Sequence, residues 1–570
     1  MKSLRLKLLV VVLSASACSH KGVSTADSSI PGFEAEAPVS PELIAQAQAP
    51  LLEGLGDFTH AISAKNSAVQ RYFDQGMIMA AGFNHAEAVR SFRAAQRLDP
   101  SCAICFWGEA MAIGPNINVT AKGKAVMLPE DRIAAFKAIQ QAVSLAAGAS
   151  QRERDYIMAQ SARYNGQPDT DREPLDAAYA DAMRSLAAKY PSDDDAQAMF
   201  AEALMNTMPW DYWLDGENPK PATREVIDTL ETVIARNPQH PLSLHLYIHA
   251  VEASSKPGRA EDAADELADL VPGSGHLVHM PSHIYWRIGR YFDASEANVR
   301  AAAVDEAYIA QCNAQGFYPA LYYPHNIHFL WASASMEGRS AVAIAAGEKV
   351  AANVRLEQVR EYPAIEFFRT IPLLSLVRFA RWDEILQAKR PTADLEFSNA
   401  IWLYARIVAH ARRRQFVEAE EFLLELEPLL RHEAVYYLDG NDYPATTILA
   451  TAYKLALGEF AQARGNLSSA IESYREAVAL QDQLPYTEPP FWYYPTRQSL
   501  GHALLLNGEP AEAEEIYRAD LNQYPRNGWS QFGLSKALEQ QGKLDEAQMH
   551  RERFDRIWTR ADVALTGSVL

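Results

Sequence analysis

Seven of the fifteen histidines lie in three short segments of the chain, between residues 245 and 328. Within each segment the histidines are three or four positions apart, a spacing that places side chains on one side of an α-helix. Neutral imidazole binds zinc, copper, iron and nickel, and a nearby glutamate can bind the same ion or act as a general base. The candidate metal ligands are His245, His249, His276, His279, His283, His325 and His328, and Glu252 is the candidate catalytic base or ligand.

These groups exceed the coordination sphere of one ion, since zinc takes four ligands in proteins. Two arrangements follow: two ions, or one ion whose surplus imidazoles orient the ligands and serve as a general base. The three segments contain no cysteine, which is against a closed structural zinc site, and His245-Leu-Tyr-Ile-His249 lacks the glutamate of a zinc-peptidase helix. We expect copper, iron or zinc with an open position, suited to an oxidoreductase or a hydrolase.

The same histidines have an alternative use without a metal. Histidine titrates near neutral pH, so a groove lined with imidazoles could bind an acidic peptide or respond to pH. The chain would then be an interaction scaffold for a protein partner. Imidazoles that converge within ligand distance favour the metal site, and imidazoles spread along an open groove favour the scaffold.

The elements that carry these histidines belong to a repeated helical unit. Residues 69–102 form one such unit, with Gly76 at position 8, Ala88 at position 20, Phe92 at position 24 and Pro100 at position 32. Small residues at positions 8 and 20 let two antiparallel helices approach closely, the aromatic ring fills the gap between pairs, and the proline ends the second helix. Similar units begin near Pro241, Gly275, Pro324, Ala400, Thr451, Tyr494 and Gly528.

This pattern resembles the tetratricopeptide repeat, which implies an all-α fold: a right-handed superhelical solenoid of helical hairpins. In such a repeat, positions 2, 5, 9 and 12 of the first helix face the concave groove, and all seven histidines fall on these positions of three successive units. The resemblance implies that a small-molecule or peptide ligand, or a protein partner, binds in this groove.

The chain is similar to a group of bacterial tetratricopeptide-repeat lipoproteins in two longer blocks. Residues 275–285 read Gly-His-Leu-Val-His-Met-Pro-Ser-His-Ile-Tyr, and residues 322–329 read Tyr-Tyr-Pro-His-Asn-Ile-His-Phe. This similarity implies the fold and the identity of the motifs, and it implies no particular reaction.

The first residues predict a targeting segment. Three basic residues precede the apolar run 8–13, and the small residues 15–17 precede Cys18. The run is too short to span a bilayer, and the pattern resembles a lipoprotein signal over 1–18 in which Cys18 is lipidated. We expect a bacterial cell-envelope protein that faces the periplasm and meets the membrane only through this lipid; simple secretion is the alternative. Residues 19–60 are rich in Ser, Ala, Pro and Glu and predict a flexible tether.

The remaining organisation follows from charge, cysteine spacing and the repeats. The net charge of −19 excludes nucleic acid as an expected partner, because no basic stripe can offset phosphate. Cys102 and Cys105 begin a helix and are a possible disulfide, which we interpret as a structural pair. We divide the repeats into an N-terminal part at 61–240, the histidine-rich part at 241–345 and a C-terminal part at 346–570.

Overall fold

Helix-length amphipathic segments alternate with short turns along the chain, and consecutive helices pack as antiparallel pairs. In the computed structural model, residues 39–121, 123–312, 318–441 and 443–570 are described. The predicted signal at 1–18, with Cys18, and the predicted tether up to residue 38 lie outside the described residues. Pro41–Leu570 forms one compact unit.

The helices of the first part are α1 Pro41–Ala47, α2 Ser67–Ala81, α3 His85–Leu98, α4 Ala103–Ile113, α5 Pro129–Leu145, α6 Gln151–Ser161, α7 Glu173–Lys189, α8 Asp194–Asn206 and α9 Pro221–Arg236. Those of the central part are α10 Pro241–Glu252, α11 Glu261–Leu270, α12 Gly275–His279, α13 Pro281–Arg287, α14 Tyr291–Cys312, α15 Tyr323–Met336, α16 Ser340–Asn353, α17 Leu356–Glu361, α18 Ile371–Arg378 and α19 Trp382–Gln387. The last part contains α20 Glu396–Arg412, α21 Phe416–Leu429, α22 Glu433–Asp439, α23 Ala445–Ala463, α24 Leu467–Gln481, α25 Arg497–Leu506, α26 Pro510–Gln523, α27 Gly528–Gln540 and α28 Leu544–Ile557.

Short elements connect these helices. Strands β1 Thr120–Ala121 and β2 Lys124–Ala125 form an antiparallel hairpin between α4 and α5, and a single π-helical turn, Tyr318–Tyr322, precedes α15. The 3₁₀ turns are Ala146–Gly148, Pro257–Ala260, Pro363–Thr370 and Trp558–Arg560. None of the helices among the described residues has both the length and the apolar character needed to cross a bilayer.

The first unit shows why these residues form a hairpin. Asn66 caps α2 by accepting from the Val69 N–H, and Asn84 caps α3 in the same way. The Phe92 ring of α3 lies so close to α2 that a Cβ on Gly76 would be 2.7 Å from it. The same device recurs late in the chain, where ring carbons crowd the glycine positions in the pairs Tyr474 with Gly458 and Tyr517 with Gly501. The predicted all-α solenoid of tetratricopeptide-type hairpins is confirmed.

The predicted boundary of the tether needs correction for residues 41–60. Helix α1 packs on α3, and the Tyr72 hydroxyl donates to the carbonyl of Ala49 at 2.6 Å. His60 is 1% exposed, and its Nδ1 lies 2.6 Å from an Asp195 carboxylate oxygen. Small apolar residues such as Ala47 pack between helices although the segment shows no helical spacing of apolar residues. Its composition therefore gave no sign that these residues are buried.

The C-terminal helices return to the central ones. The Trp529 indole N–H donates to the Ser335 carbonyl at 3.1 Å, and the Asp562 carboxylate accepts from the backbone N–H groups of Ser340 and Ala341 at 2.6 and 2.9 Å. The segment between α24 and α25 reaches the central part as well. This return closes one side of the histidine region.

Candidate metal centre

Four helices supply the predicted site residues. Helix α10 carries His245, His249 and Glu252, and α15 carries His325 and His328. The first helix of the unit that begins at Gly275 is divided at Pro281, because proline has no N–H to continue the hydrogen-bond ladder. The two His residues at 276 and 279 therefore lie on α12, and the one at 283 lies on α13.

Six of the seven predicted ligands converge in the interior. Ring centroids are 4.8 Å apart for His245 and His249, 5.4 Å for His249 and His283, and 4.8 Å for His283 and His279. His276 completes a closed sequence of five neighbouring imidazoles, since its ring centroid lies 5.6 Å from that of His279 and 5.0 Å from that of His245. The sixth imidazole, His325, lies 4.8 Å from His279 and 5.8 Å from His283.

Three groups of three can be distinguished by the distances between their ligand atoms: two consist of histidines alone, and the third is His249, Glu252 and His283. The first histidine group is His245, His249 and His276, and the second histidine group is His279, His283 and His325. In each group one potential ligand atom per residue lies within 4.8 Å of the other two. The nitrogens that face each other most closely are Nε2 of His279 and Nε2 of His283, at 2.9 Å.

The opposite ring nitrogens of four imidazoles are held by oxygen atoms. Nδ1 of His245 lies 2.6 Å from the Ala81 carbonyl, and Nδ1 of His279 lies 2.7 Å from Oδ1 of Asn298. Nδ1 of His249 and Nδ1 of His283 lie 2.7 and 2.6 Å from the two oxygens of Glu252. A carbonyl or carboxylate oxygen only accepts, so each Nδ1 carries a proton, and in a neutral ring Nε2 then keeps a lone pair.

This arrangement is the one that proteins use to orient metal-binding histidines, in which the second ring nitrogen donates to a carboxylate or carbonyl. Glu252 links the two histidine groups, since it accepts from His249 of the first and His283 of the second. Both its oxygens are engaged, and its side chain is fully buried.

Several nitrogens of the cluster have no partner among the described residues. They are Nε2 of His245, Nε2 of His249 and both ring nitrogens of His276. A buried polar group without a hydrogen bond costs about 1–3 kcal/mol. An ion or a ligand that bound here would relieve this cost.

The electrostatic environment keeps these imidazoles neutral. Burial, together with the neighbouring imidazoles, lowers the pKa of His245, His276, His279 and His325 well below the ordinary value of histidine. Burial lowers the pKa of His249 as well. Neutral imidazole is the form that binds metals, so the rings are ready for an ion at pH 7.

Two further residues reach the cluster from the segment between α24 and α25. The Tyr486 hydroxyl donates to Glu252 at 3.1 Å and also contacts the carboxyl group of Glu488. Oε2 of Glu488 lies 3.5 Å from Nδ1 of His283. Burial and the charge of Glu252 raise the pKa of Glu488 well above its ordinary value. For Glu252 burial acts the same way, but the neighbouring His283 and His249 outweigh it and lower the pKa.

Sequence reasoning missed Tyr486 and Glu488. They are more than two hundred positions from Glu252, and no helical spacing connects them to the histidines. The only signal nearby is the aromatic run at 491–494 that follows them.

The structure does not bring His328 into the cluster. Its ring instead stacks on Trp331 at 5.2 Å and meets Phe367 and Phe368 at 5.5 Å. Three residues along a helix amount to about 300° of rotation, so His328 diverges by about 60° from His325 and points to the next hairpin. Burial lowers the pKa of His328 to about 3.

The cluster borders a cavity of about 1000 Å³. His249, His276, His283 and His325 line it, whereas His245 and His279 are fully buried. Glu488 lines the cavity as well. An ion held by either histidine group could therefore keep a coordination position open to a small molecule.

The predicted cysteine pair lies outside this region. Cys102 and Cys105 are joined by a disulfide at the start of α4, where Cys102 is the N-cap residue. The remaining described cysteine, Cys312, is free and accepts a hydrogen bond from Arg90.

No protein-family model matches this chain, and no curated protein matches it either. Among solved structures it is similar to the human IFIT1 dimer with m7Gppp-AAAA, at 13% identity over 90% of this chain and 93% of that one, with a TM-score of 0.29. It is also similar to the tetratricopeptide domain of P58(IPK), at 11% identity, 83% and 98% coverage and a TM-score of 0.21. The Cut9–Hcn1 hetero-tetramer of the APC/C matches at 12% identity, 87% and 90% coverage and a TM-score of 0.29. Similarity at this level supports no inference about the site.

Proposed function

We propose that this chain is a metal-dependent enzyme, an oxidoreductase or a hydrolase, that holds two transition-metal ions in its two histidine groups. The observation that carries the proposal is the orientation of four imidazoles whose Nδ1 atoms are fixed by acceptors. Their Nε2 lone pairs remain for an ion. Copper, iron and zinc all accept such a donor set.

The contact between His279 and His283 supports an ion in the second histidine group. Two Nε2 lone pairs at 2.9 Å repel each other unless a cation or a proton lies between them. Two imidazoles bound to one zinc at about 2.0–2.1 Å have their nitrogens about 3.3 Å apart at a tetrahedral angle, so a separation of 2.9 Å is close to that of two ligands of one ion.

In this proposal Glu252 orients ligands rather than acting as the base. Both its oxygens accept from imidazole Nδ1 atoms, so neither is available to a substrate. Glu488 faces the cavity, and burial together with the charge of Glu252 raises its pKa, which favours the protonated form. We assign to Glu488 the transfer of a proton to a substrate group.

We also propose that the enzyme works outside the cytoplasm. The lipoprotein-like signal over 1–18 supports a periplasm-facing, lipid-anchored protein, with simple secretion as the alternative. The disulfide between Cys102 and Cys105 agrees with an oxidising compartment.

The second candidate function is a metal-free scaffold for a protein partner. The helical-hairpin architecture supports it, because such solenoids present extended binding surfaces. A partner would have to use residues other than the cluster, since His245, His249, His276 and His279 are at most 1% exposed.

Metal content tests the proposal. We expect full-length protein purified from the periplasm to carry two ions per chain by inductively coupled plasma mass spectrometry. The pair variant His279→Ala with His283→Ala should keep one ion, and the pair variant His245→Ala with His249→Ala should keep the other. The matched control is His432→Asn, outside the cluster, where asparagine preserves the N-cap of α22.

Circular dichroism would show that each variant keeps its helices. Absence of metal from the wild-type protein after loading with copper, zinc or, without oxygen, ferrous iron would reject the enzyme and leave the scaffold. One ion in the wild-type protein that both pair variants lose would replace the two-ion arrangement by a single centre.

A further inference from the structure

One part of the wall of the cavity beside the histidine groups is a cluster of aromatic side chains. In this cluster the Tyr443 ring is stacked on Phe367 at 5.3 Å and is in edge contact with Phe397 at 5.3 Å and Phe491 at 5.5 Å. All four residues line the cavity. Aromatic rings bind other rings in offset or edge-on geometry, with more affinity than buried area alone would give.

No lysine or arginine of the described residues lines this cavity. Its ionisable acidic residues are Asp211, Asp439 and Glu488. The Arg287 guanidinium lies over the Tyr486 ring and donates to the carbonyls of Glu252 and Ser254, so its hydrogen bonds are used within the fold. In the metal-free protein an anionic ligand would therefore leave water for a cavity whose described lining residues include no cationic side chain, which is costly.

The polar end of the cavity consists of hydrogen-bonding groups rather than charges. His276 lines the cavity and has no partner at either ring nitrogen among the described residues. A hydroxyl or amide group of a ligand can satisfy such an imidazole, and the ligand ring would then reach the aromatic wall. The volume of about 1000 Å³ is at the upper end of ordinary ligand pockets, so it admits one or two rings.

We infer that the substrate of this site is an aromatic small molecule that directs a polar group towards the histidines, and that the cavity without metal prefers an uncharged polar group. This inference rests on the proposed function, since it names the substrate class of the same cavity. The aromatic wall selects the ring, and in the metal-free protein the lack of a cationic side chain among the described lining residues disfavours an anion.

Three probes of similar size distinguish the contribution of the aromatic ring to binding from that of the charge. Benzamide is a neutral aromatic amide, benzoate is its anionic counterpart, and cyclohexanecarboxamide keeps the amide without the aromatic ring. Isothermal titration of the full chain, after a chelator has removed metal, should show benzamide binding about tenfold or more tightly than benzoate. Cyclohexanecarboxamide should bind several-fold more weakly than benzamide.

A variant in the wall locates the binding. Tyr443→Leu removes the aromatic ring while keeping an apolar side chain, and we expect it to weaken benzamide binding about fivefold. Tyr437→Leu is the matched control, because Tyr437 is 58% exposed and does not line the cavity. It should leave benzamide binding unchanged.

Equal affinity for benzamide and benzoate in the metal-free protein would overturn the inference, as would the absence of binding by any probe or an unaltered Tyr443→Leu variant. The failure of the metal proposal gives a different result. In that case no ion is found by mass spectrometry, yet the metal-free protein still prefers benzamide.

Discussion

Among the described residues, two places hold a buried carboxylate between two histidines, and one of the two has the features of a metal centre. Glu252 accepts from His249 and His283, and Asp195 lies 2.6 Å from His60 and 3.1 Å from His240. In both places the neighbouring histidines lower the pKa of the carboxyl group against the effect of burial.

The difference lies in the second nitrogen of each imidazole. Nδ1 of His240 accepts a hydrogen bond from the backbone N–H of Ser243 and lies 2.8 Å from the hydroxyl of the same residue, so His240 caps α10. His60 packs against Phe73, Trp107 and Tyr156. Nε2 of His60 has no hydrogen-bond partner among the described residues, but it is surrounded by these three aromatic rings and not by further imidazoles. A carboxylate between two imidazoles is thus a structural clamp when their other nitrogens cap a helix or lie among aromatic rings. It becomes part of a candidate ion site when those nitrogens face further imidazoles.

The largest effect that separates the two places is expected from removing the carboxylate charge. In Glu252→Gln the amide can accept from one Nδ1–H, but its NH₂ group meets the other donor to donor. We expect metal affinity to fall about 10–100-fold, as for other residues that orient metal-binding histidines. Competition with a chromophoric chelator measures this change.

Asp195→Asn is the matched comparison. It should leave metal affinity unchanged and lower the thermal midpoint, because its histidines cap a helix and pack in the core. Equal losses of metal affinity in Glu252→Gln and Asp195→Asn would mean that the effect is general destabilisation, and the distinction between the two places would fail.

The second largest effect is expected from acid, which should lower the free energy of unfolding of the metal-free protein through the buried histidines. The pKa of His276 is lowered in the folded chain, so below about pH 6.5 the unfolded chain binds more protons than the folded one. The free energy of unfolding therefore falls as pH is lowered from this value, by up to about 1.4 kcal/mol per pH unit for each such group. Urea unfolding of metal-free protein at several pH values measures the slope.

His276→Leu removes one of these groups and should make the slope shallower between about pH 6.5 and pH 5. The control His432→Asn should keep the wild-type slope. A variant slope identical to that of the wild type would contradict the assignment of His276 as a buried neutral imidazole.

A smaller, spectroscopic effect concerns Glu488. Because burial and the charge of Glu252 raise its pKa, Glu488 should be protonated at neutral pH. Burial also raises the pKa of Asp305 to about 7, so the infrared difference between the wild-type protein and Glu488→Gln is the quantity to measure. It should show the carbonyl band of a protonated carboxyl group, and the difference between the wild-type protein and Asp195→Asn should not. A wild-type minus Glu488→Gln difference without that band would remove Glu488 as the proton donor of the proposed enzyme.

Much of the fold was predictable because its determinants are local. Gly76 and Phe92 stand at fixed positions of one hairpin, and their contact follows from the packing of two adjacent helices. The proximity of His245 to His249 on α10, and of His276 to His279 on α12, likewise follows from spacing along a helix. Contacts of this kind depend on a few helical turns, so they can be predicted even when the path of the whole solenoid is predicted wrongly.

The missed parts depend on the path of the whole solenoid. Glu488 reaches His283 only because the C-terminal hairpins return to the central ones, and no local pattern describes that return. The packing of His60 against Asp195 is equally non-local, which is why the predicted tether extended too far. Helical position alone also could not decide between His325 and His328, since both fall on groove positions and a rotation of about 60° separates them.

The smallest change in metal affinity is therefore expected from substituting His328. This substitution directly tests whether His325, and not His328, belongs to the metal site. His328→Phe keeps a ring of similar size beside Trp331 and removes both nitrogens, so the aromatic packing is preserved. We expect metal affinity to stay at the wild-type value, whereas His325→Phe, one turn away on the same helix, should lower it. If His328→Phe also released metal, the ligands would extend along α15 into the next hairpin. The boundary of the second histidine group drawn from the ring contacts would then be wrong.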